Sequence, residues 1–444
     1  MMLFPPCIND WLPEDHPVHF VSEVVENFDL SKIYKSYRET RGMPPYEPKM
    51  MVKVLIYSIT KGILSSRKIE RALYEDVGLR VLSGDQQPDH WTISEFRRRH
   101  LDALGEIFIQ TVKLADKAGL LKLNHVSADG TKIKANASKH SAMSYARMEK
   151  EEKRLRDEID KILEQMEKND IAENKLYGNR RGDELPEELA TKEKRKAAIE
   201  KAMAELEEEA IEKLKKDQEK KKKDAEKKGK AYKSRKKVSD TKPKPKDQRN
   251  FTDCESRIMK NSDKAFIQGY NAQATVDAET HIIVSADVTN QANDSPHLTS
   301  QIEEVIKNTG RKPKESSADA GYYSDDNLEF LDEKEIDPYI PPDKIKHNEW
   351  REQASPVGRL PKEISDKDLM RRKLRTKKGR EKYKLRQTSI EPVFGFIKEQ
   401  FGLRQFLLRG LQKVRWMWRF TCAVHNLMKI FRAKARQSTK TAIV

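Results

Sequence analysis

The segments FIQGYNAQATV (Phe266–Val276) and HIIVSA (His281–Ala286) predict the two strands of a β-hairpin. Both contain many β-branched, aromatic and small apolar residues, and the residues DAET at 277–280 form the connecting loop. A strand pattern also lies far upstream, at His125–Ile133, and predicts one strand or a pair of short strands.

Strand and helix patterns alternate after the hairpin. Strands are predicted at 315–318 and 339–340, and helices at 298–306 and 325–334. The resulting order of strand, hairpin, helix, strand, helix, strand and helix predicts an α/β fold, in which helices flank a mixed sheet.

Residues 1–120 are predicted to form an all-α N-terminal domain. Apolar periodicity predicts one helix after Pro48 and a second that starts at Ser65-Ser66 and carries Ile69 and Leu73 on one face. The sequence TISE at 92–95 matches a capping box, so a third helix is predicted to begin there and to end near Lys117. Its basic cluster at 97–100 suits DNA binding, but a plain helical bundle carries such clusters as well.

Residues 141–250 are predicted to be a helical insertion, which leaves 121–140 and 251–432 as the α/β domain. Apolar residues recur at heptad-like spacing on both sides of a polar turn at 177–182, which predicts an antiparallel hairpin with a coiled-coil seam. The seam residues are Leu155, Ile159, Ile162, Met166, Ile199, Met203, Leu206 and Ala210. The lysine-rich stretch that follows ends in KPKPK at 242–246 and is predicted to be a mobile linker.

The chain is strongly basic, with a net charge of +16 over 444 residues. A basic protein favours a polyanionic partner such as nucleic acid. Residues 211–249 hold 18 Lys and Arg against 7 Asp and Glu and so contribute +11 of this charge. Because a charge run is often only a solvated segment, the net charge of the whole chain is weaker evidence that the folded domains bind nucleic acid.

The cysteines indicate a reducing compartment. Cys7, Cys254 and Cys422 are far apart and form no CxxC pair, which argues against a disulfide framework and a cysteine-ligated zinc site. The first residues lack the pattern of a secretory signal, and no apolar run is long enough to cross a membrane. The expected location is the cytoplasm, in association with the nucleoid.

Three acidic residues are candidates for chemistry, although each alone has an ordinary explanation. Asp129 followed by Gly130 is a common hairpin-turn signal. Asp319 lies where a short strand ends, and Glu391 lies on a predicted helix, where glutamate usually faces solvent. The residues around them favour a shared role.

The region around Glu391 resembles the YREK signature of the DDE transposases of bacterial insertion sequences. In that signature a Tyr, an Arg, a Glu and a Lys lie on the last catalytic helix, and the matching residues here are Tyr383, Arg386, Glu391 and Lys398. Segments similar to the same family cover nearly the whole chain: RKIER (67–71), FRRRH (96–100), SADGTK (127–132), ADAGY (318–322), GLRQF (402–406), LRGL (408–411) and AVHNL (423–427).

This resemblance implies a ribonuclease-H-like catalytic domain. Asp129 on the first strand and Asp319 on the fourth would lie side by side, and Glu391 would approach from the late helix. The three carboxylates would hold two divalent ions, Mg²⁺ or Mn²⁺, which activate the attacking oxygen and stabilise the leaving oxygen of a phosphodiester. Lys398, Tyr383 and Arg386 would contact DNA.

The spacing between Arg386 and Glu391 departs from the family pattern. Four residues separate them, whereas the family has three. Because an α-helix turns by about 100° per residue, Arg386 is displaced by about 100° from the usual face unless a bulge intervenes. Pro392 lacks a backbone N–H and makes such an irregularity plausible.

The predicted function is metal-dependent DNA cleavage and strand transfer at the ends of an insertion sequence. The expected partners are the terminal inverted repeats, the target DNA and a second copy of the chain in the synaptic complex. A catalytically inactive DNA-binding relic is the alternative from another class, and a plain metal-dependent nuclease is a third.

Other polar and aromatic residues receive structural predictions. Among the remaining acids, Asp277, Asp287 and Asp294 are expected to have structural roles, with support of the site as the lesser alternative for Asp294. Asp325 and Asp326 are expected to cap a helix. His297 and His425 are expected to pack in the interior or to cap a helix. Trp416 and Trp418 are expected to be core residues rather than surfaces on which bases stack.

Overall fold

The computed structural model describes residues 8–37, 45–177, 187–227, 241–261, 264–343, 355–356, 358 and 364–442. These form two compact units, the first from residues 1–136 and 259–444 and the second from residues 137–258. A further division of the first unit near residue 120 stays a prediction. Among the described residues, every helix is too short or too polar to cross a bilayer.

The strands, in chain order, are β1 (His125–Lys134), β2 (Ala142–Ser144), β3 (Gln248–Asn250), β4 (Arg257–Lys260), β5 (Phe266–Asp277), β6 (Ile283–Thr289), β7 (Glu315–Ser317) and β8 (Asp337–Tyr339). The helices of the N-terminal part are α1 (Pro17–Glu26), α2 (Ser31–Lys35), α3 (Pro48–Thr60), α4 (Ser66–Glu75), α5 (Val77–Ser83), α6 (His90–Arg99) and α7 (Leu101–Lys117). The remaining helices are α8 (Tyr145–Tyr177), α9 (Glu187–Lys227), α10 (Leu298–Thr309), α11 (Asp325–Glu333), α12 (Asp366–Arg375), α13 (Lys377–Glu399) and α14 (Leu411–Ala442). Short 3₁₀ helices lie at Ile8–Trp11, Lys139–Ser141, Ser295–His297 and Ala320–Tyr322.

The main sheet is mixed, as the sequence predicts. Its strands are ordered β4, β5, β1, β7 and β8, and β6 also pairs with β5. β1 is antiparallel to β5 and parallel to β7, while β7 is parallel to β8. β1 is one continuous strand with Asp129 and Gly130 in its middle, so the turn that these residues could form alone does not occur. Pairing with its neighbouring strands holds β1 extended.

Helices cover the sheet and build the core of the first unit. α14 packs against α7 and β6, α10 packs against β6, and α13 packs against β1. Trp418 of α14 is fully buried, and its indole N–H donates to the carbonyl of Gln273 at 2.9 Å. The prediction that Trp418 is a core residue is confirmed.

The N-terminal helices begin close to the predicted positions, with one correction. α3 starts at Pro48, and α4 buries Ile69 and Leu73 as expected. The predicted capping box at 92–95 is wrong, because α6 starts at His90 and the carboxylate of Asp89 accepts the N–H of Thr92 at 2.7 Å. An aspartate just upstream already satisfies the first free N–H groups.

Two further helix starts differ from the prediction in similar ways. α6 ends at Arg99 and a new helix, α7, runs from Leu101 to Lys117, so the third predicted helix is in fact two. The cap of α11 is the hydroxyl of Ser324, which accepts the N–H of Asn327, and not Asp325 or Asp326. The two aspartates lie in the first turn, where their charge favours the positive end of the helix dipole.

The second unit contains the predicted antiparallel hairpin, formed by α8 and α9. Lys192 pairs with Glu158 at 3.2 Å and the Tyr145 hydroxyl donates to Glu207 at 2.6 Å, so the two helices run in opposite directions. Its apolar core consists of Tyr145, Met148, Leu155, Ile199, Ala202 and Leu206. Whether the seam is a coiled coil stays a prediction, and the predicted turn at 178–182 lies outside the described residues.

The end of the predicted mobile linker is attached to this hairpin. Residues 228–240 lie outside the described residues, but 241–247 are described and contain no helix, as expected. The N–H of Tyr145 donates to Asp247 at 2.8 Å, the N–H of Ala146 donates to Pro245 at 3.3 Å, and Pro243 is buried. Backbone carbonyls of 241–247 therefore accept hydrogen bonds from the first turn of α8, and the mobility of this linker stays a prediction.

The close approach of α7 and α14 gives a stability prediction. A Cβ atom on Gly105 would lie 2.3 Å from the Cε3 atom of Trp416, so Gly105→Ala is expected to lower the free energy of unfolding by about 1–3 kcal/mol. Gly395, inside α13, has open space around it, so Gly395→Ala is the matched control and should raise stability by up to about 1 kcal/mol. Urea denaturation measures both, and equal stabilisation by the two variants would contradict this packing.

Candidate functional site

Two of the predicted acids lie on neighbouring parallel strands. Ser127 of β1 pairs with Ser317 of β7 in register. Asp129 lies two residues beyond Ser127, and Asp319 lies two residues beyond Ser317, just past the end of β7. Since side chains two apart on an extended chain point to the same face, the two carboxylates emerge side by side. The Asp319 carboxylate also accepts the N–H of Gly321 at 2.8 Å and so starts a 3₁₀ helix.

The side chain of Arg386, on α13, connects the first acid to the third. Its Nη1 donates to Asp129 Oδ2 at 2.6 Å and its Nη2 donates to Glu391 Oε1 at 3.0 Å. Arg386 and Asp129 are largely buried, with 12% and 16% of their side chains exposed, whereas Glu391 is 52% exposed. The structure therefore brings Asp129, Asp319 and Glu391 to one region around a single guanidinium.

The unusual spacing between Arg386 and Glu391 does not separate them. α13 is described as α-helical from Lys377 to Glu399 and contains Pro392 without a break, so the bulge considered from the sequence is absent in this helix. Arginine is long enough to reach back along the helix to Glu391 and across to Asp129. The spacing between Arg386 and Glu391 determines which groups the Arg386 guanidinium reaches. In this structure it reaches the carboxylates of Asp129 and Glu391.

Burial dominates the electrostatics of Asp129. Desolvation of the carboxylate raises the pKa of Asp129 to about 7, and the charge of Asp319 adds to this rise, although Arg386 opposes it. Burial acts to lower the pKa of Arg386, but the charges of Asp129, Glu391 and Asp319 and the Tyr383 hydroxyl together outweigh it, so the net shift of the pKa is upward and the guanidinium stays charged. At a pH near 7, Asp129 is therefore protonated in part of the molecules and ionised in the rest.

This pKa predicts a pH dependence of stability. Because the folded chain binds the Asp129 proton more tightly than the unfolded chain does, the contribution of this group to stability falls as pH rises from about 4 to about 7. The fall amounts to at most roughly 4 kcal/mol, given about 1.4 kcal/mol per pKa unit. Denaturation at pH 5 and pH 8 should show a smaller difference for Asp129→Asn than for the wild type. The same difference in both proteins would contradict the elevated pKa.

The other residues of the predicted signature have partners within the protein. Lys398 lies two turns beyond Glu391, and its ammonium group donates to the Thr131 hydroxyl of β1 at 2.5 Å. Tyr383 packs against a small apolar cluster near β8, its ring lies 6.0 Å from the Arg386 guanidinium, and burial raises the pKa of its hydroxyl. Their roles in DNA binding stay predictions.

Asp294 lies in a polar network beside Asp129. Its carboxylate accepts from Lys132 at 2.9 Å, from Asn271 at 2.6 Å and from Gln273 at 2.8 Å. Its negative charge contributes to the elevated pKa of Asp129. The sequence pointed to Asp294 but not to its three partners, because an Asn, a Gln and a Lys distributed over two strands carry no local signal.

The remaining acids have structural roles, as predicted. Asp277 is fully buried and accepts the N–H groups of Lys122 and Leu123 at 3.0 and 2.8 Å, which anchors the chain entering β1. Asp287 forms an ion pair with Arg415 at 2.5 Å.

Of the predicted histidines and the second tryptophan, His425 is buried, whereas His297 and Trp416 are half-buried, so Trp416 is not the core residue that the sequence predicted. His425 is buried against the carbonyl of His281 at 3.1 Å, and burial lowers its pKa to about 3. His297 precedes α10, where its side chain makes no capping hydrogen bond. Trp416 is half-buried against Gly105 of α7, with the guanidinium of Arg419 over its ring.

The ligand atoms that the three acids offer are of the type that divalent cations prefer. Asp129, Asp319 and Glu391 offer only carboxylate oxygens, the ligands that Mg²⁺ prefers. A cation would also compensate the buried charge of Asp129, as Arg386 does in this structure. Among the described residues no three His, Cys, Asp or Glu side chains are close enough together to hold a metal as they stand.

The fold and this site define an α/β protein in which two acids on adjacent strands and a third on a late helix lie near one arginine. Residues 6–99 match the family model described as a transposase domain (DUF772), and residues 241–427 match that of the transposase DDE domain. Together the matches support a DDE transposase. The second match includes Asp319 and Glu391, whereas Asp129 lies outside both. No curated protein and no solved structure matches the chain.

Proposed function

We propose that the chain is the transposase of a bacterial insertion sequence, belongs to the YREK-signature group, and cleaves and joins DNA at the ends of that element. The observation that carries this proposal is the single guanidinium of Arg386, which links Asp129 on β1 to Glu391 on α13, while β7 brings Asp319 alongside. Three acids that are far apart in the sequence thereby lie in one region of the first unit, which supports the proposal.

Asp129, Asp319 and Glu391 are the residues that would hold two divalent ions, Mg²⁺ or Mn²⁺. When bound, such ions activate the attacking oxygen and stabilise the leaving oxygen of a phosphodiester. DDE transposase domains in general use divalent metal ions, and the oxygen-only donors here suit them. The mixed sheet with β1 at its centre supports the ribonuclease-H-like assignment as an analogy of fold.

The basic residues of α13 would position the DNA backbone. Lys398 lies two turns beyond Glu391 on the same helix, so its ammonium group would contact a phosphate next to the one that reacts. Arg386 would exchange its carboxylate partners for a phosphate once a cation neutralises Asp129 and Glu391, because its charge is then no longer needed between them. Tyr383 would fix the orientation of the guanidinium.

DNA binding outside the site is assigned to the helical N-terminal domain and to the lysine-rich part of the insertion. The family match over residues 6–99 and the net charge of +16 support this. The hairpin of α8 and α9 would contribute to self-association, since a synaptic complex must hold two DNA ends.

The experiment uses the purified chain and a DNA duplex carrying the inverted repeats that flank its gene. With Mg²⁺ the wild type is expected to nick the repeat ends and then join them to a second duplex. EDTA should abolish both steps, and a duplex with scrambled ends should remain intact. Nicking without joining would indicate a plain nuclease, and binding without nicking would indicate an inactive relic; either result would overturn the proposal.

A further inference from the structure

Each of the three acids follows a serine by two positions. The serines are fully buried, whereas the acids reach the site, and the three pairs are Ser127 with Asp129, Ser317 with Asp319, and Ser389 with Glu391. The sequence thus repeats the pattern Ser-x-acid on β1, after β7 and on α13. The acids are 190 and 72 residues apart, so local geometry does not impose the repetition.

The three serines meet beneath the site, and we call them the serine cluster. The Ser389 hydroxyl donates to the Ser127 hydroxyl at 2.9 Å, and the hydroxyls of Ser127 and Ser317 lie 3.1 Å apart. One short chain of hydrogen bonds therefore joins β1, β7 and α13, the three segments that carry the acids. Serine suits this position because its small side chain allows the backbones to approach while still offering a donor and an acceptor.

The chain of hydrogen bonds continues to the first residues of β1 and β7. The Ser317 hydroxyl lies 2.9 Å from Nε2 of His125, and Nδ1 of His125 lies 3.0 Å from Glu315. Burial lowers the pKa of His125, and the two contacts suit a neutral ring that donates from Nδ1 to Glu315 and accepts at Nε2 from Ser317. Glu315 also forms an ion pair with Lys382 of α13 at 2.7 Å. The helix α13 is therefore bound at both ends of this chain of hydrogen bonds, through Ser389 at one end and Lys382 at the other.

The position of the serine cluster determines how the acids are presented. On β1, Ser127 and Asp129 point to the same face, so a bond that fixes Ser127 also fixes the direction of Asp129. On α13, residues two apart differ by about 200° of rotation, so Ser389 holds the buried side of the helix and sets the rotation at which Glu391 faces the site.

We infer that Ser127, Ser317 and Ser389 are positioning residues for the acidic site. They hold the three acid-bearing segments in one register, so that the carboxylates converge on the same cations. The inference rests on the proposed function, because it gives the cluster a role only if Asp129, Asp319 and Glu391 act together. A buried polar network whose members are bonded to one another holds the segments that it joins in one arrangement, which favours a role in geometry.

Ser316→Ala is a matched control for variants of the cluster. Ser316 is the residue before Ser317 on β7, is equally buried and points to the opposite face of the strand. Among the described residues its hydroxyl has no hydrogen-bond partner. Its replacement removes a buried serine hydroxyl from the strand next to β1 without breaking the chain of hydrogen bonds.

The test compares Ser127→Ala, Ser389→Ala and their double variant with Ser316→Ala. Binding of Mn²⁺ is followed by the loss of the free-ion paramagnetic resonance signal, and nicking is followed with Mg²⁺, both well below the melting temperature of each variant. The two single variants are expected to bind Mn²⁺ about tenfold more weakly and to nick with a kcat about tenfold lower at unchanged KM for DNA. The double variant should lose little more, because both substitutions break the same bond.

The possible outcomes separate this inference from the proposed function. If the wild type binds Mn²⁺ and nicks DNA but the Ser127 and Ser389 variants match Ser316→Ala, the cluster is merely structural and the inference is wrong. A lower melting temperature with unchanged Mn²⁺ affinity and kcat would contradict the inference in the same way. If the wild type neither nicks DNA nor binds Mn²⁺ through Asp129, the proposed function is wrong and the inference falls with it.

Discussion

Replacing Asp129 with Asn is expected to lower the rate of metal-dependent nicking about 10³-fold, while the chain stays folded. A metal site contributes several kcal/mol of transition-state stabilisation, and about 1.4 kcal/mol corresponds to a factor of ten in rate. Asn preserves the size of the side chain and one oxygen but loses the negative charge. Asp129 is the more buried of the two acids that Arg386 contacts, so this charge is the one a cation would compensate most.

The measurement is the single-turnover nicking rate of a terminal-repeat duplex with saturating Mg²⁺. Asp277→Asn is an unsuitable comparison because Asp277 anchors the backbone before β1. Asp116→Asn is a better control, since Asp116 pairs with Arg311 on the surface and its replacement should leave the rate unchanged. If Asp129→Asn nicks as fast as this control, Asp129 is no part of the site.

Replacing Arg386 with Gln is expected to lower the free energy of unfolding by about 2 kcal/mol at pH 8 without metal. Loss of one partner of a buried ion pair costs about 3–5 kcal/mol, and the partial exposure of Glu391 reduces this. At pH 5 the loss should be smaller, because Asp129, with its pKa of about 7, is already protonated and needs no counter-charge. Denaturation at both pH values measures the difference.

Divalent ions should restore part of the stability of Arg386→Gln at pH 8. A ligand that binds only the folded chain stabilises it, and a cation at this site would replace the lost guanidinium charge. The control is Arg311→Gln, which removes an arginine from an exposed ion pair worth at most about 1 kcal/mol and should respond neither to pH nor to Mn²⁺. If Mn²⁺ stabilises both variants equally, the guanidinium and the cation do not share one site.

Much of the α/β fold was predictable because its elements carry local signals. The hairpin of β5 and β6, the glycine end of α10 at Gly310 and the strand before Asp319 all follow from residue alternation or a helix stop. Errors arose where two local signals competed. Thr92 and Glu95 matched a capping box, but Asp89 lay upstream and capped the helix first.

The three acids could be selected from the sequence by their resemblance to a family, but their surroundings could not. The sequence suggested that the offset of Arg386 would turn it away from the site, yet its guanidinium contacts both Asp129 and Glu391. Ser127, Ser317 and Ser389 drew no attention, although the repeated Ser-x-acid spacing was present in the sequence as a signal.

The sequence by itself determined the main strands and helices of the α/β fold, because alternation, periodicity and capping act over a few residues. It also selected the three candidate acids, through the resemblance of the residues next to each to a known family. Only the tertiary structure decided that Asp129 is extended rather than in a turn, that Asp129 is buried enough to hold a proton near pH 7, and that three serines touch. Each of these three features depends on the packing of segments that are distant in the sequence; Ser127 and Ser389, for example, are 262 residues apart. The free energies of strand pairing and of burial arise only from that packing.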